Sequence, residues 1–211
     1  MAVKSRTKEK VLDAAVSLFN TKGFDGTSVR EIAKKAKVNV ANISYYFESK
    51  EGLLENLVTT FFEGYIKELE EAFICLEQQS AKQCLMTLIR YVMNYQHQHR
   101  HIARVVYREV SLDTTFIREV MTTYLAKEKY ILASLLEKGI KQQEFKRSNI
   151  PYVIMQLKGM LTMPYLHSQY LSEVLYVLPH EPYFIDQYIK EMENWVHHVV
   201  CREQTRIYVN L

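Results

Sequence analysis

The stretch "VNVANISYYFESKEGLL", Val38 to Leu54, decides how this chain folds. Its three adjacent aromatics, Tyr45, Tyr46 and Phe47, cannot share one helix stripe, because neighbouring side chains point about 100° apart. At least one tyrosine is therefore turned away from the core, toward something outside the protein. Ahead of them, Asn39 caps a very short helix from Val40 to about Phe47, on which Ile43 and Phe47, four apart, point inward. Behind them, the charged turn at Ser49 and Lys50 opens a much longer helix.

Upstream, "TSVREIAKKA" reads as another short helix. Ser28 and Glu31, three apart, form a capping box, with Thr27 as a competing cap. Val29, Ile32, Ala33 and Ala36 make its inner face. Before it, Val11, Leu12, Ala15, Val16 and Phe19 recur at steps of three and four, and Gly23 supplies the left-handed stop. Two short helices joined by the tight turn "KVN" make a helix-turn-helix. In such a unit the first helix crosses the phosphate backbone, and the start of the second reaches base edges in the major groove. Val40, Ala41, Asn42 and Ser44 are short enough for that approach, while Tyr45, Tyr46 and Lys50 can donate to phosphate oxygens.

The bulk composition agrees with a helical protein. Apolar residues make up 48% and charged residues 24%, and six glycines and four prolines in 211 residues are too few for many strands and tight turns. Through Lys50 there are ten basic residues against five acidic ones, a net of +5; 17 basic and 19 acidic residues follow, a net of −2. That asymmetry suits a nucleic-acid module on another body, or else a solvated basic surface. No run nears the roughly 18 apolar residues of a membrane helix, and the basic start "MAVKSRTKEK" has no apolar signal segment. The expected setting is cytoplasmic, at the nucleoid, without membrane. Cys75, Cys84 and Cys201 are odd in number and lack CxxC spacing, which predicts reduced thiols. No GxSxG, P-loop, GxGxxG or HExxH pattern occurs, so neither an enzyme nor a cofactor is expected.

"VLDAAVSLF" (11–19), "KGFDGTSVREIAKKAKV" (22–38) and "YYFESKEGLL" (45–54) resemble the N-terminal pattern of TetR-family regulators. The likeness covers about the first quarter of the chain. It implies an all-α fold, with a three-helix DNA-binding head over 1–48 and a helical dimerisation and regulatory body over 49–211. It also implies a homodimer on double-stranded DNA, at an inverted repeat with half-sites about one helical turn apart. By the same resemblance Thr27 or Ser28, Tyr46 and Lys50 meet phosphates. Asn42, Ser44 and Tyr45 face bases, and Val40 and Ala41 pack on thymine methyls. Two positions depart from the pattern. Lys37 stands where glycine is usual; left-handed there, it costs roughly 1 kcal/mol more than glycine, though its charge can reach phosphate. Ser44 replaces a usual tyrosine, leaving Tyr45 to take over that backbone contact.

Beyond the long fourth helix, periodicity predicts helices near 80–97, 100–109, 114–142, 149–171 and 181–205, with Pro164 kinking or breaking its own. The resemblance pairs the last two with their symmetry mates, which makes Tyr188, Met192, Trp195 and Val199 candidate dimer contacts. Tyr91, Tyr95, Tyr107, Tyr124, Tyr130 and Tyr165, with Met86, Met93, Met121, Met160 and Met163, either line a cavity for an apolar small-molecule effector or fill the core. Arg100, Arg104, Arg108 and Arg118 offer a surface to a protein partner or extra DNA, or are ordinary surface arginines. The overall composition is also similar to family members that act from chromosomal sites on the division protein FtsZ. His97 and His101, four apart, are one short of a metal site, and none is expected. Lys4, Arg6 and Lys8 form either a solvated tail or an arm along the DNA.

Overall fold

A computed structural model describes residues 2–112 and 114–202, with side chains from Arg6 onward. Among these residues the regular structure is helical, with one isolated antiparallel bridge between Phe145 and Cys201. Ten α-helices are found there: α1 (Ala2–Lys22), α2 (Val29–Ala36), α3 (Val40–Phe47), α4 (Lys50–Ile74), α5 (Ala81–Gln98), α6 (Arg100–Ser111), α7 (Thr115–Lys141), α8 (Ile150–Leu166), α9 (Ser168–Glu173) and α10 (Pro182–Trp195). No helix among the described residues is long and apolar enough to cross a membrane.

The packing divides the chain into two compact units, Met1–Tyr65 with Gln98–Tyr124 and Ile66–His97 with Leu125–Leu211. The expected boundary at 48/49 marks the end of the three-helix motif. The packing unit that contains the motif also takes in the first part of α4 and all of α6. In this first unit Phe19, Ile32, Ile43 and Leu53 are fully buried, each supplied by a different helix. Such side chains stabilise by roughly 1.5–3 kcal/mol apiece relative to exposure. α6 lies along α1 and is tied to it by polar links. The Arg108 guanidinium donates to the Phe19 carbonyl at 2.8 Å, and the Asn20 amide donates to the His101 carbonyl at 2.9 Å. Farther along, Phe61 and Phe62 meet Tyr107 edge-to-face, with Tyr124 stacked on Phe62.

The second unit packs α5, α8, α9 and α10 with parts of α4 and α7 around Leu88, Ile89, Met93, Leu132 and Leu135. The Glu144 carboxylate accepts from the backbone N–H groups of Ala81 and Lys82, capping the start of α5. Phe145 lies so close over Gly139 that a Cβ there would sit 2.1 Å from its ring.

Pro164 neither breaks nor ends its helix on the spot. α8 runs on to Leu166, the chain turns at His167, and α9 begins at Ser168, so the helix expected over 149–171 is two. Proline has no N–H to give the carbonyl four residues back, which here belongs to Met160. The Tyr188 hydroxyl donates to that carbonyl at 2.9 Å, and burial pushes the phenol up to about 12. The helix expected over 181–205 stops at Trp195, adds a π-helical turn over Val196–Val200 and becomes extended at Cys201; residues 203–205 of that expectation lie outside the described part.

Tyr188→Phe keeps the ring and removes only the hydroxyl. The expected result is a loss of about 1 kcal/mol in urea unfolding, the cost of a part-buried carbonyl left without its donor. An unchanged midpoint would show that the carbonyl finds another donor.

Candidate nucleic-acid interface

The turn that aims α3 begins with Lys37, which is left-handed at φ 55° and ψ 47°. Its N–H donates to the carbonyls of Ala33 and Lys34, and the Val38 N–H donates to Ala33 at 3.0 Å. These bonds satisfy the end of α2 and place a lysine where glycine would be less strained. Asn39 then caps α3, its Oδ1 accepting from the Ala41 N–H at 2.9 Å.

α3 is anchored on one side by Ile43 and Phe47, both buried. On the other side Ala41 and Ser44 are exposed, Val40 is 40% exposed and Tyr45 is 68% exposed. The exposed Lys37 continues this face at its N-terminal end. Asn42 and Tyr46 lie half-buried at its margins, with the Tyr46 ring edge-on to Tyr45 at 5.0 Å. Hence Phe47 closes the core, Tyr45 faces out, and Tyr46 lies between.

Behind α3 the chain is strained. Glu48 has φ 65° and ψ −53°, and the Ser49 N–H donates to the Phe47 carbonyl at 2.6 Å, a γ-turn of the uncommon hand. Ser49 Oγ accepts from the Gly52 N–H at 3.0 Å, which starts α4. At Gly52 a Cβ would lie 2.2 Å from the Phe47 carbonyl oxygen, so only glycine lets α4 begin this close to the end of α3.

At the start of α2, Ser28 and Glu31 form the expected reciprocal cap. Lys22 joins it, its ammonium 2.6 Å from Glu31 Oε1. The Lys22 hydrogen bond, followed by those from the Ser28 N–H and hydroxyl, pulls the Glu31 carboxyl down to about 2. Ser28 is exposed at this helix end, whereas Thr27 is buried and its hydroxyl donates to the Gly23 carbonyl at 2.7 Å. Of the two expected phosphate contacts here, Ser28 alone presents its side chain.

Lys50 also differs from expectation. Its ammonium donates to the carbonyls of Phe24 and Thr27 at 3.0 and 3.1 Å and lies 4.2 Å from the Phe24 ring centre. It ties the start of α4 to the loop between α1 and α2, with one N–H remaining. The exposed cations Arg30, Lys34 and Lys35 of α2 did not enter the sequence reading as contacts. Their signal was the charged outer face of an otherwise apolar-patterned helix. Arg6 and Lys8 belong to α1, which is helical from Ala2, rather than to an extended arm or tail; the Lys4 side chain lies outside the described part.

Elsewhere the expected residues scatter. Arg104 and Arg118 are exposed and Arg100 is half-buried, while Arg108 is spent on Phe19 and on Glu109 at 3.1 Å. Met192 cannot be a dimer contact, because it lies with Ile185 and Ile189 on the inward stripe of α10 and is 1% exposed within its own chain. Tyr188 and Trp195 are half-buried, and Val199 is exposed. Tyr152 and Met155 of α8, and Tyr183 of α10, are large exposed apolar side chains that the sequence reading passed over. Tyr91 and Tyr130 are exposed, whereas Met93, Met121, Tyr107 and Tyr165 are buried. His97 lies in the last turn of α5 and His101 is in α6, so they share no helix face. Among the described residues no group of three or more His, Cys, Asp or Glu side chains is placed to hold a metal.

Glu31→Gln should lower the stability of the protein near neutral pH. A folded carboxyl held below its ordinary 4.5 contributes stability that is present above that value and lost as pH falls toward about 2. The wild-type advantage in urea midpoint is therefore expected to shrink across that window. A difference independent of pH would mean that the charge on Glu31 contributes nothing.

Residues 11–57, which span this interface, match the domain described as "Bacterial regulatory proteins, tetR family". Over 197 residues the chain is 54% identical to the probable HTH-type transcriptional regulator YttP of Bacillus subtilis (strain 168), covering 93% of this chain and 95% of that one. It is 30% identical over 88 residues to IcaR of Staphylococcus aureus (strain Newman), described as the HTH-type negative transcriptional regulator of the biofilm operon icaADBC, with 42% of this chain and 45% of that one covered. In three dimensions it is similar to a bacterial regulatory protein of the tetR family from Rhodococcus RHA1. The TM-score is 0.76 at 17% identity, over 93% of this chain and 98% of that one.

Proposed function

We infer what this chain does from two premises: it belongs to the TetR family of helix-turn-helix transcriptional regulators, and α3 offers solvent a face of short side chains and one tyrosine. It is a homodimeric repressor that binds an inverted repeat in double-stranded DNA. Ala41, Ser44 and Tyr45 reach base edges in the major groove, Val40 packs on a thymine methyl, and Asn42 works from the margin. Ser28, Tyr46, Lys37 and the α2 cations hold phosphates. Lys50 serves by keeping α4, and with it the end of α3, against the α1–α2 loop. The exposed face of α3 carries this reading.

The dimer forms through α8, α10 and the π-helical turn after it, where Tyr152, Met155, Tyr183 and Val199 are exposed apolar side chains. Repression, as against activation, is supported by the relative IcaR, whose description is that of a negative regulator. Release from the operator follows when an apolar small molecule occupies the body, whose buried methionine and tyrosines suit such a guest. A second reading has the DNA-bound protein act on a protein partner such as the division protein FtsZ, in the manner of RefZ. Exposed Arg104 and Arg118 favour it, while Arg108 is committed within its own unit.

The test uses a duplex selected from a random pool. Tyr45→Ala is expected to weaken binding to that duplex about 10- to 100-fold, as loss of a base contact worth ~1–3 kcal/mol does, with little effect on unrelated DNA. Lys34→Ala should weaken both alike and reduce the salt dependence by about one unit. Wild-type affinity in the Tyr45 variant would remove that residue from the reading face.

A further inference from the structure

At the end of α7 the chain gathers positive charge around a hollow. A cavity of about 670 Å³ opens between the last residues of α7, the loop that follows them and the chain just after the π-helical turn. Lys141, Lys146, Arg147 and Arg202 line it, with Ile140 and Phe145 as its apolar wall. No aspartate or glutamate is among these described lining residues. Backbone pairing fixes the frame. The Lys146 N–H donates to the Val200 carbonyl at 2.9 Å and the Arg202 N–H to the Glu144 carbonyl at 2.8 Å, on either side of the bridge between Phe145 and Cys201. Phe145 is seated against Gly139, which leaves the wall little room to shift.

Like charges held together cost free energy unless something answers them. Glu144, in the same loop, has its carboxylate committed to the Ala81 and Lys82 N–H groups. The carbonyls at the end of α7 do not call for the cations either. Gln142 already donates its N–H to Lys138, Gln143 to Ile140, and Glu144 and Phe145 to Gly139. Lys146 sets its ammonium on the His198 carbonyl at 2.7 Å, and Arg202 donates to the Gln143 side chain at 3.3 Å. Each contact steadies a cationic head and leaves it further donors. Lys141 and Arg147 are exposed and engage no partner among the described residues.

We propose that this cavity binds a small molecule bearing two or more negative charges, carried by phosphate or carboxylate groups. Arginine forks meet the oxygens of either group two at a time, and lysine ammonium groups add point charge. Four cations exceed what a single carboxylate neutralises, so the ligand is a polyanion. A hollow with an apolar wall suits a small molecule, whereas a nucleic-acid strand is tracked along an extended basic groove. Bound there, the anion bridges the end of α7 to the chain beyond α10 and stabilises the folded protein. The site is built from residues of the second unit alone, whereas α3 belongs to the first.

Inorganic pyrophosphate and citrate are each titrated into the full-length protein by isothermal calorimetry, with ionic strength held constant by sodium chloride. At least one of them is expected to fill one saturable site per chain and to raise the melting temperature, and the tighter of the two identifies the anionic group. Lys141→Ala combined with Arg147→Ala should weaken that binding about 10-fold or more. Circular dichroism and melting of this variant without ligand verify its fold. Lys34→Ala, on α2, should leave the binding unchanged, which separates this cavity from the cations assigned to DNA. Binding of neither probe, wild-type affinity in the double variant, or loss of binding in Lys34→Ala would overturn the proposal.

Discussion

An eight-residue helix has almost no stability of its own in water, because the first turn costs more than so few hydrogen bonds return. α3 is such a helix, and in the proposed function it is the one whose outer face meets DNA. What holds it is burial on its other side. Ile43 and Phe47 enter the core made by α1, α2 and α4, the Asn39 side chain closes its first turn, and the Phe47 carbonyl is gripped by Ser49 above Gly52. Remove either anchor and the reading face loses its orientation along with its helix. The strain at Lys37 and Glu48 follows from the same demand. The chain reverses sharply on both sides of a short segment, and both reversals use left-handed backbone at residues other than glycine.

The remaining parts of the first unit make that support rigid. Lys22 reinforces the α2 cap through Glu31, Lys50 stitches α4 to the loop before α2, and Arg108 binds a carbonyl near the end of α1. Each is a cation set on groups that would otherwise be left without a donor or countercharge, so a strongly basic region spends part of its charge on its own scaffold. The remaining exposed cations, Arg30, Lys34, Lys35 and Lys37, face solvent and can meet phosphates. In the second unit the need of one carbonyl for a donor places Tyr188. Its hydroxyl serves the carbonyl that Pro164 cannot, and α8 continues through a proline.

Much of this was legible from local chemistry. The cap at Ser28 and Glu31, the left-handed Lys37, the cap at Asn39 and the sorting of Tyr45, Tyr46 and Phe47 follow from residues no more than a few positions apart. The helical periodicity placed most elements to within a few residues. What was not legible depends on partners far away in sequence. Lys50 looks like a free cation until Phe24 and Thr27 come to it, 26 and 23 residues away. Arg108 looks like a surface arginine until α6 meets α1, and Met192 an interface residue until the inward stripe of α10 claims it. Pro164 was expected to disturb its helix, but its cost is met by a tyrosine 24 positions further on.

The account rests on the outer face of α3 choosing where the protein sits on DNA, and a genome-wide occupancy map tests that most directly. Chromatin immunoprecipitation of the wild-type protein should give a small set of sites sharing one inverted repeat, concentrated in promoter regions. A variant with Ser44 and Tyr45 both changed to alanine should lose those sites while remaining folded. Occupancy that follows DNA abundance without a shared repeat, or a double variant that keeps the wild-type sites, would contradict the assignment of α3 as the reader.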